Sequence, residues 1–442
     1  MDLSCAIDFG TSNSVAALAT AAGVEVVASE PSCILITDDR ASQRLYVGHD
    51  AISHYRGTAE NTRFVKSMKS LLSDPGFEST RVFGRSYTAA HLVRPVIRDL
   101  KEKAEARAGR EITRVVLGRP VHFSAHWEND PLAEARLREA AMLAGFTEVS
   151  FQLEPIAAGW SYAASLREER TVLVADLGGG TADFCLVRFH PQRREALAHA
   201  PEAPAAPRHE VLAPRHKVLA PRHEVLAPRH EVLAVGGVRI GGDDFDGRIM
   251  WNRLVALFGY GSRFESWGRM LDVPVHVFVA LCRWDRIPFL KESHTWSDLL
   301  YILQGSSDTP AIRRLLALIR NDLGFPLYRA IAAAKHELSR STSADIVLDS
   351  KEVTIAETLE RGDFEAMIRA DIDGMAEAAR TTIADAGLAP DDVDVCFLTG
   401  GCSLVPSVAA RFGALLPRGR LSTEGDAFTS VAAGLALYGL GA

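Results

Sequence analysis

The chain has 442 residues, 47% of them apolar and 24% charged, and a formal net charge of −7. That length exceeds one ordinary domain and supplies two to four packed units, while the composition excludes a disordered protein. Charges of both signs are interspersed without a dominant basic run, which argues against a nucleic-acid partner, and no apolar run reaches the ~18 residues of a membrane span.

In chain order, residues 3–9 and 15–19 read as a β-hairpin around a turn at 10–14, with further strands at 24–28 and 32–36. From about 50 to 110 the composition turns polar and reads as helical. A short buried strand at 115–118 precedes a helix at 132–144, which Gly145 is suited to cap. A strand at 149–153 leads into a helix at 155–164 with Pro155 near its start. Strands at 171–175 and 184–187 flank a second glycine turn, and a glycine-aspartate turn at 240–247 leads into a helix at about 245–258. Residues 260–325 are a mixed, Trp-containing stretch with no interpretable motif. Then come a helix at 328–340, strands at 346–348 and 353–355, a long helix at 364–386, a strand at 393–398 and a final helix at 427–434. Hairpin strands followed by strand–helix alternation, repeated in each half, indicate an α/β architecture with two related lobes.

Residues 206–233 interrupt this pattern with four copies of Ala-Pro-Arg-His-x-Val-Leu. The period of seven suggests a coiled coil, but a proline in every copy removes a helical hydrogen bond and clashes with the preceding turn. Residues 230–234 therefore read as native strand, with three copies inserted in a hairpin connection. His209, His216, His223 and His230 suit a solvated loop better than a metal site.

Two stretches carry the chemistry. Asp8-Phe9-Gly10-Thr11-Ser12-Asn13 and Asp176-Leu177-Gly178-Gly179-Gly180-Thr181-Ala182-Asp183 each end an apolar strand in an aspartate and continue into a glycine-containing turn with hydroxyl residues. Glycine lets backbone N–H groups approach an anion, and the aspartate can hold a cation directly or through water. Together the two turns suit a clamp on a nucleotide's phosphate chain and its Mg²⁺. Gly400-Gly401, after a buried strand, suits the adenosine side.

These residues resemble the seventy-kilodalton heat-shock protein family, in its short, divergent YegD-like form, within the actin-like ATPase superfamily. The resemblance covers essentially the whole chain but only the ATPase half of such chaperones. It implies an actin-like fold of two ribonuclease-H-like lobes flanking a nucleotide cleft: residues 1–165 with a subdomain at about 40–110, and 166–442 with a subdomain at about 246–325. Glu154-Pro155, Gly241-Gly242-Asp243-Asp244, Ala334-Lys335-His336-Glu337-Leu338-Ser339 and Thr399-Gly400-Gly401-Cys402-Ser403 look like the family's connecting, post-hairpin, adenine-contacting and adenosine motifs.

By this resemblance Asp8 and Asp176 position Mg²⁺ through water, and Asp8, Lys69, Glu154, Asp176 and Thr181 are catalytic. Lys69 aligns best as the catalytic lysine, with Lys66 the runner-up. Gly10, Thr11, Ser12, Asn13, Gly178, Gly179, Gly180, Asp183, Gly241, Gly242, Lys335, His336, Ser339, Gly400, Gly401, Cys402 and Asp426 would bind ATP or ADP. Three departures stand out: His336 and Leu404 replace arginines, and Cys402 replaces a serine. After Gly434 only eight residues remain, so no peptide-binding domain is expected here.

The expected activity is slow Mg²⁺-dependent ATP hydrolysis that opens and closes the lobes, read by an unidentified protein partner or client. A small-molecule kinase, a filament-forming scaffold and a non-hydrolysing binder remain the alternatives. Six scattered cysteines without a C-x-x-C pair read as buried free thiols, and no secretory leader is evident, so a cytoplasmic monomer is expected.

Overall fold

The computed structural model describes residues 3–39, 42–55, 62–123, 127–163, 166, 168–190, 229–291, 293–423 and 427–441. Two five-stranded mixed sheets organise them. In the first, the central strand Ser4–Phe9 pairs antiparallel with Asn13–Thr20, which pairs antiparallel with Gly23–Pro31. On its other side Arg114–Arg119 and then Glu148–Leu153 run parallel. The second sheet repeats this order and these senses, with Arg170–Leu177 central, Ala182–His190 and Arg229–Val238 on one side, and Val395–Thr399 and Arg420–Ser422 on the other.

Parallel neighbours need crossover connections. Helix Asp130–Leu143 makes this crossover in the first sheet and Pro406–Leu415 makes it in the second. The central strands are near-continuous apolar runs because both of their faces are covered. Ala89–Ala108 and Asp130–Leu143 pack on the first sheet, around Leu92, Val96, Leu137 and Leu117. Gly242–Ile249, Gly324–Glu337 and Arg361–Asp385 pack on the second, around Phe245, Leu327, Ile372 and Phe184.

Between the sheets lies a third apolar layer, in which helices Glu154–Ala163 and Ser430–Gly441 join Ala6 and Val15 of one sheet to Val172 and Cys185 of the other. Small residues let these helices meet closely: a Cβ on Gly434 would lie 1.7 Å from the Ala157 carbonyl oxygen.

Two stretches differ from the sequence reading. Within 50–110, helix Ala89–Ala108 is present, but Thr62–Lys66 joins Cys33–Asp39 and Ser42–Val47 in a three-stranded sheet. Thr80–Val82 and Arg85–Tyr87 form a hairpin. Its turn residues Phe83 and Gly84 both have positive φ, as a tight hairpin matched to strand twist requires. The helix expected at 245–258 is α-helical over Gly242–Ile249, widens into a π turn at Met250–Leu254 and tightens to 3₁₀ at Val255–Phe258. Residues 260–325 contain a hairpin, Arg263–Ser266 with Arg269–Asp272, and helices Val275–Leu281, Ser293–Gly305 and Thr309–Arg320. The last helix starts later and runs further than read, over Ser430–Gly441.

The repeat copies at 206–226, with His209, His216 and His223, lie outside the described residues, whereas 230–234 fall in the edge strand Arg229–Val238. All six cysteines are free thiols. Among the described residues no helix is long and apolar enough to cross a membrane.

Candidate functional site

Each glycine turn joins the central strand of its sheet to the adjacent antiparallel strand, and each aspartate is the strand's penultimate residue. The turns come from different sheets and touch. A Cβ built on Gly179 would lie 2.6 Å from Ser12 Oγ, and one on Gly180 would lie 3.1 Å from Thr11 Oγ1. A side chain at 179 would crowd the Ser12 hydroxyl, which would have to turn away from the contact. The second turn closes on itself through the Gly178 N–H donating to the Thr181 carbonyl at 2.9 Å. Helix Gly242–Ile249 is pinned beside it, with the Gly242 and Asp243 N–H groups donating to the Gly178 and Gly179 carbonyls at 3.1 and 2.8 Å. A Cβ on Gly241 would lie 2.5 Å from the Gly179 carbonyl carbon.

Beneath the turns four carboxylates converge on one ammonium. Lys69 Nζ donates to Glu154 Oε1 at 2.7 Å, with both side chains under one-tenth exposed. Burial alone would lower the Lys69 pKa, but the carboxylates of Glu154, Asp8 and Asp183 outweigh it and raise it. Burial and then repulsion from Glu154 push Asp8 up to about 7, against the pull of Lys69. Asp183 is likewise pushed up to about 7, although Thr181 and the Val121 N–H, which donates at 2.8 Å, stabilise its charge. Asp176 is raised well above the carboxylate range by burial and by Glu154, Asp8 and Asp183. The surplus of negative charge suits a bound cation. Among the described residues no three His, Cys, Asp or Glu side chains form a group that could hold a metal ion.

The other end is framed by Gly242, Lys335 and Cys402. Lys335 Nζ donates to the Gly242 carbonyl at 2.7 Å and pairs with the buried Asp246 at 2.7 Å. Cys402 Sγ donates to the Gly178 carbonyl at 3.2 Å, and burial pushes the thiol up to about 12. Gly400 has φ +79°, and a Cβ there would strike the Leu177 carbonyl oxygen at 2.4 Å. His336 and Leu404 are both exposed, and Ser339 Oγ donates to the His336 carbonyl at 2.6 Å.

Of the site residues expected from sequence, all but Asp183, Gly241 and Asp426 line one cavity of about 440 Å³, a volume in the range of small-molecule sites. Asp183 is buried behind the wall on Val121, and Gly241 backs the Gly179–Gly180 peptide. Asp426 lies outside the described residues. Lys69, not Lys66, stands among the carboxylates; Lys66 Nζ sits 5.5 Å above the Trp284 ring.

The sequence reading missed several lining residues. Trp284 lines the cavity, and its indole N–H donates to Ser67 Oγ at 3.3 Å. Phe325 also lines it and packs against Phe64 with ring centroids 4.1 Å apart and the rings tilted by 39°, while the Tyr55 hydroxyl donates to the Asp322 carbonyl. Phe428 abuts Gly401, 3.3 Å from where a Cβ would stand. Trp284 was the available signal, an aromatic in the uninterpreted stretch; the others show no local pattern.

The family model described as "Hsp70 protein" matches residues 69–200 and 325–440. The chain belongs to the Hsp70 family. It is 26% identical over 461 aligned residues to the chaperone protein HscA homolog of Laribacter hongkongensis, an alignment covering 98% of this chain and 58% of that protein. It is 29% identical over 194 residues to the chaperone protein DnaK of Methanothermobacter thermautotrophicus, covering 41% of this chain and 30% of that one. The chain thus spans little more than half the length of the HscA homolog. The mixed sheets with covering helices agree with the actin-like ATPase fold of Hsp70 proteins.

Proposed function

We propose that this Hsp70-family chain binds ATP and ADP with Mg²⁺ between two lobes, residues 1–165 and 166–442, and hydrolyses ATP slowly. The observation that carries the reading is the contact of the two glycine turns at the rim of a cavity walled by Asp8 and Asp176. Thr11, Ser12, Gly179, Gly180 and Thr181 donate hydrogen bonds to the phosphates. Lys69, held by Glu154, orients the attacking water and offsets charge on the terminal phosphoryl group. Asp8 and Asp176 would hold Mg²⁺ through water, and Glu154 and Asp183 would orient further water; the ion would supply charge neutralisation at the phosphates. The water oxygen bonds to the terminal phosphorus as the bond to the bridging oxygen breaks, yielding ADP, inorganic phosphate and a proton. Lys335, His336, Ser339, Gly400, Gly401 and Cys402 receive the nucleoside.

The output is a shift between open and closed lobes, set by different affinities of the two states for nucleotide and read by a protein partner or client. This chaperone-type or regulatory role is assigned to a cytoplasmic monomer, in keeping with the free thiols. Isothermal titration with ATP and with ADP, each with and without Mg²⁺, tests the reading. Saturable binding that strengthens with Mg²⁺ is expected, and no binding of either nucleotide overturns it.

A further inference from the structure

A second cavity, of about 380 Å³, begins where the first ends. The two share Lys69, assigned above to the terminal phosphoryl group, and Thr11, Gly180 and Thr181, assigned to the phosphates. From there the second cavity runs between residues 67–70 and 120–123 on one side and helix Gly242–Ile249 on the other. Trp284 lines both cavities and divides them, fixed by its bond to Ser67 and by the Lys66 ammonium over its ring.

The charges facing this space are unevenly committed. Arg248 is held by Asp371 through two bonds of 2.9 and 2.8 Å. Asp244 caps the helix by accepting the Gly241 N–H at 2.8 Å. Lys69 is held by Glu154, and Arg283 has a partner of its own. Asp243 also faces the space, with its backbone N–H tied to Gly179. Arg239 differs from these cations: it is exposed on the rim and, although its charge acts on the nearby Asp244, among the described residues it makes no ion pair. A guanidinium in this position, with the hydroxyls of Thr11, Ser70 and Thr181 on the same wall, offers the fork of donors that phosphate oxygens accept.

We propose that the second cavity is an inorganic-phosphate site, the chamber that receives phosphate cut from the nucleotide, with Arg239 as its binding cation. This rests on reading the first cavity as the nucleotide site. Phosphate formed beside Thr11 and Thr181 has the divided wall of Trp284 on one side and the Arg239 rim on the other, so it leaves without passing the nucleoside.

The test titrates inorganic phosphate into the ADP- and Mg²⁺-loaded chain by calorimetry, with tryptophan fluorescence as a second readout because Trp251 and Trp284 both line the chamber. Saturable phosphate binding is expected. Arg239→Ala weakens it about tenfold, the loss of one charge-assisted hydrogen bond, and leaves ADP affinity unchanged; Arg239→Lys falls between. Phosphate affinity indifferent to Arg239→Ala, or no saturable phosphate binding to the ADP-loaded chain, overturns the proposal while the nucleotide reading stands. Failure of ADP itself to bind overturns both.

Discussion

The two five-stranded sheets share strand order and strand sense, yet their first hairpins carry different charge. Across the first, Asp8 faces Val15; across the second, at the equivalent position, Asp176 faces Asp183. The first half supplies its remaining charges from outside the hairpin, with Lys69 on a short helix and Glu154 at the head of a helix following the fifth strand. A duplicated scaffold thus carries an unduplicated constellation. The backbone that aims the two turns at each other is common to both halves, whereas the chemistry is divided between them. The connections diverge too: Thr20 and Gly23 are joined by a tight turn, while residues 191–228 join the same pair of strands in the second sheet. The described residues where those connections attach, Thr20 and Gly23 in the first sheet and His190 and Arg229 in the second, lie at the far end of the hairpin from the glycine turn, a strand length or ~27 Å away.

The sharpest way to break the comparison is at Lys69. Lys69→Met leaves Glu154 buried without its partner and is expected to cost about 3–5 kcal/mol, read as a fall in melting temperature. Lys66→Met, which removes a contact over Trp284 and a longer-range attraction to Asp246, is expected to cost under about 1 kcal/mol. Equal losses would show that Lys69 has no special place in the first half's contribution. Next in size, Asp176→Asn should keep the fold and lower ATP turnover at least ~100-fold, the order seen when a preorganised electrostatic group is removed. Steady-state phosphate release measures it, and unchanged turnover would separate the second hairpin from the chemistry. The smallest effect belongs to deletion of residues 206–226. Shortening a connection at the far end of a hairpin should change stability by less than about 1 kcal/mol and leave ADP affinity as it was, by melting and titration. A collapse in melting temperature would show that the repeats support the sheet.

What was legible in the sequence follows the same division. Asp8 to Asn13 and Asp176 to Asp183 were readable because an apolar run that stops at a carboxylate and a glycine is a local signal, complete within ten residues. The strands on either side, and helices such as Arg361–Asp385, were readable from periodicity. Thr80–Val82 and Arg85–Tyr87 were not, because three-residue strands with exposed arginines have no period to detect. The stretch at 260–325 hid a hairpin, Arg263–Ser266 with Arg269–Asp272, whose turn puts Trp267 at positive φ, a conformation that composition does not announce for tryptophan. At the site, Lys69 was placed by the family resemblance, but Trp284, Phe325 and Phe428 reach the cavity from segments that carry no local motif. Nothing in a linear reading brings Ser67 to an indole more than two hundred residues away.

Gly434 sits where the carbonyl of Ala157 takes up the room of a side chain, and its neighbour Leu435 presses on Gly118, directly behind Asp8. The halves of the molecule are therefore seated on one another main chain to main chain, with no spacer to compress. A methyl group added at Gly434 would have to displace the Ala157 backbone, and with it the apolar layer on which both sheets rest. The spacing of the two sheets is thus set by how thin that shared layer is.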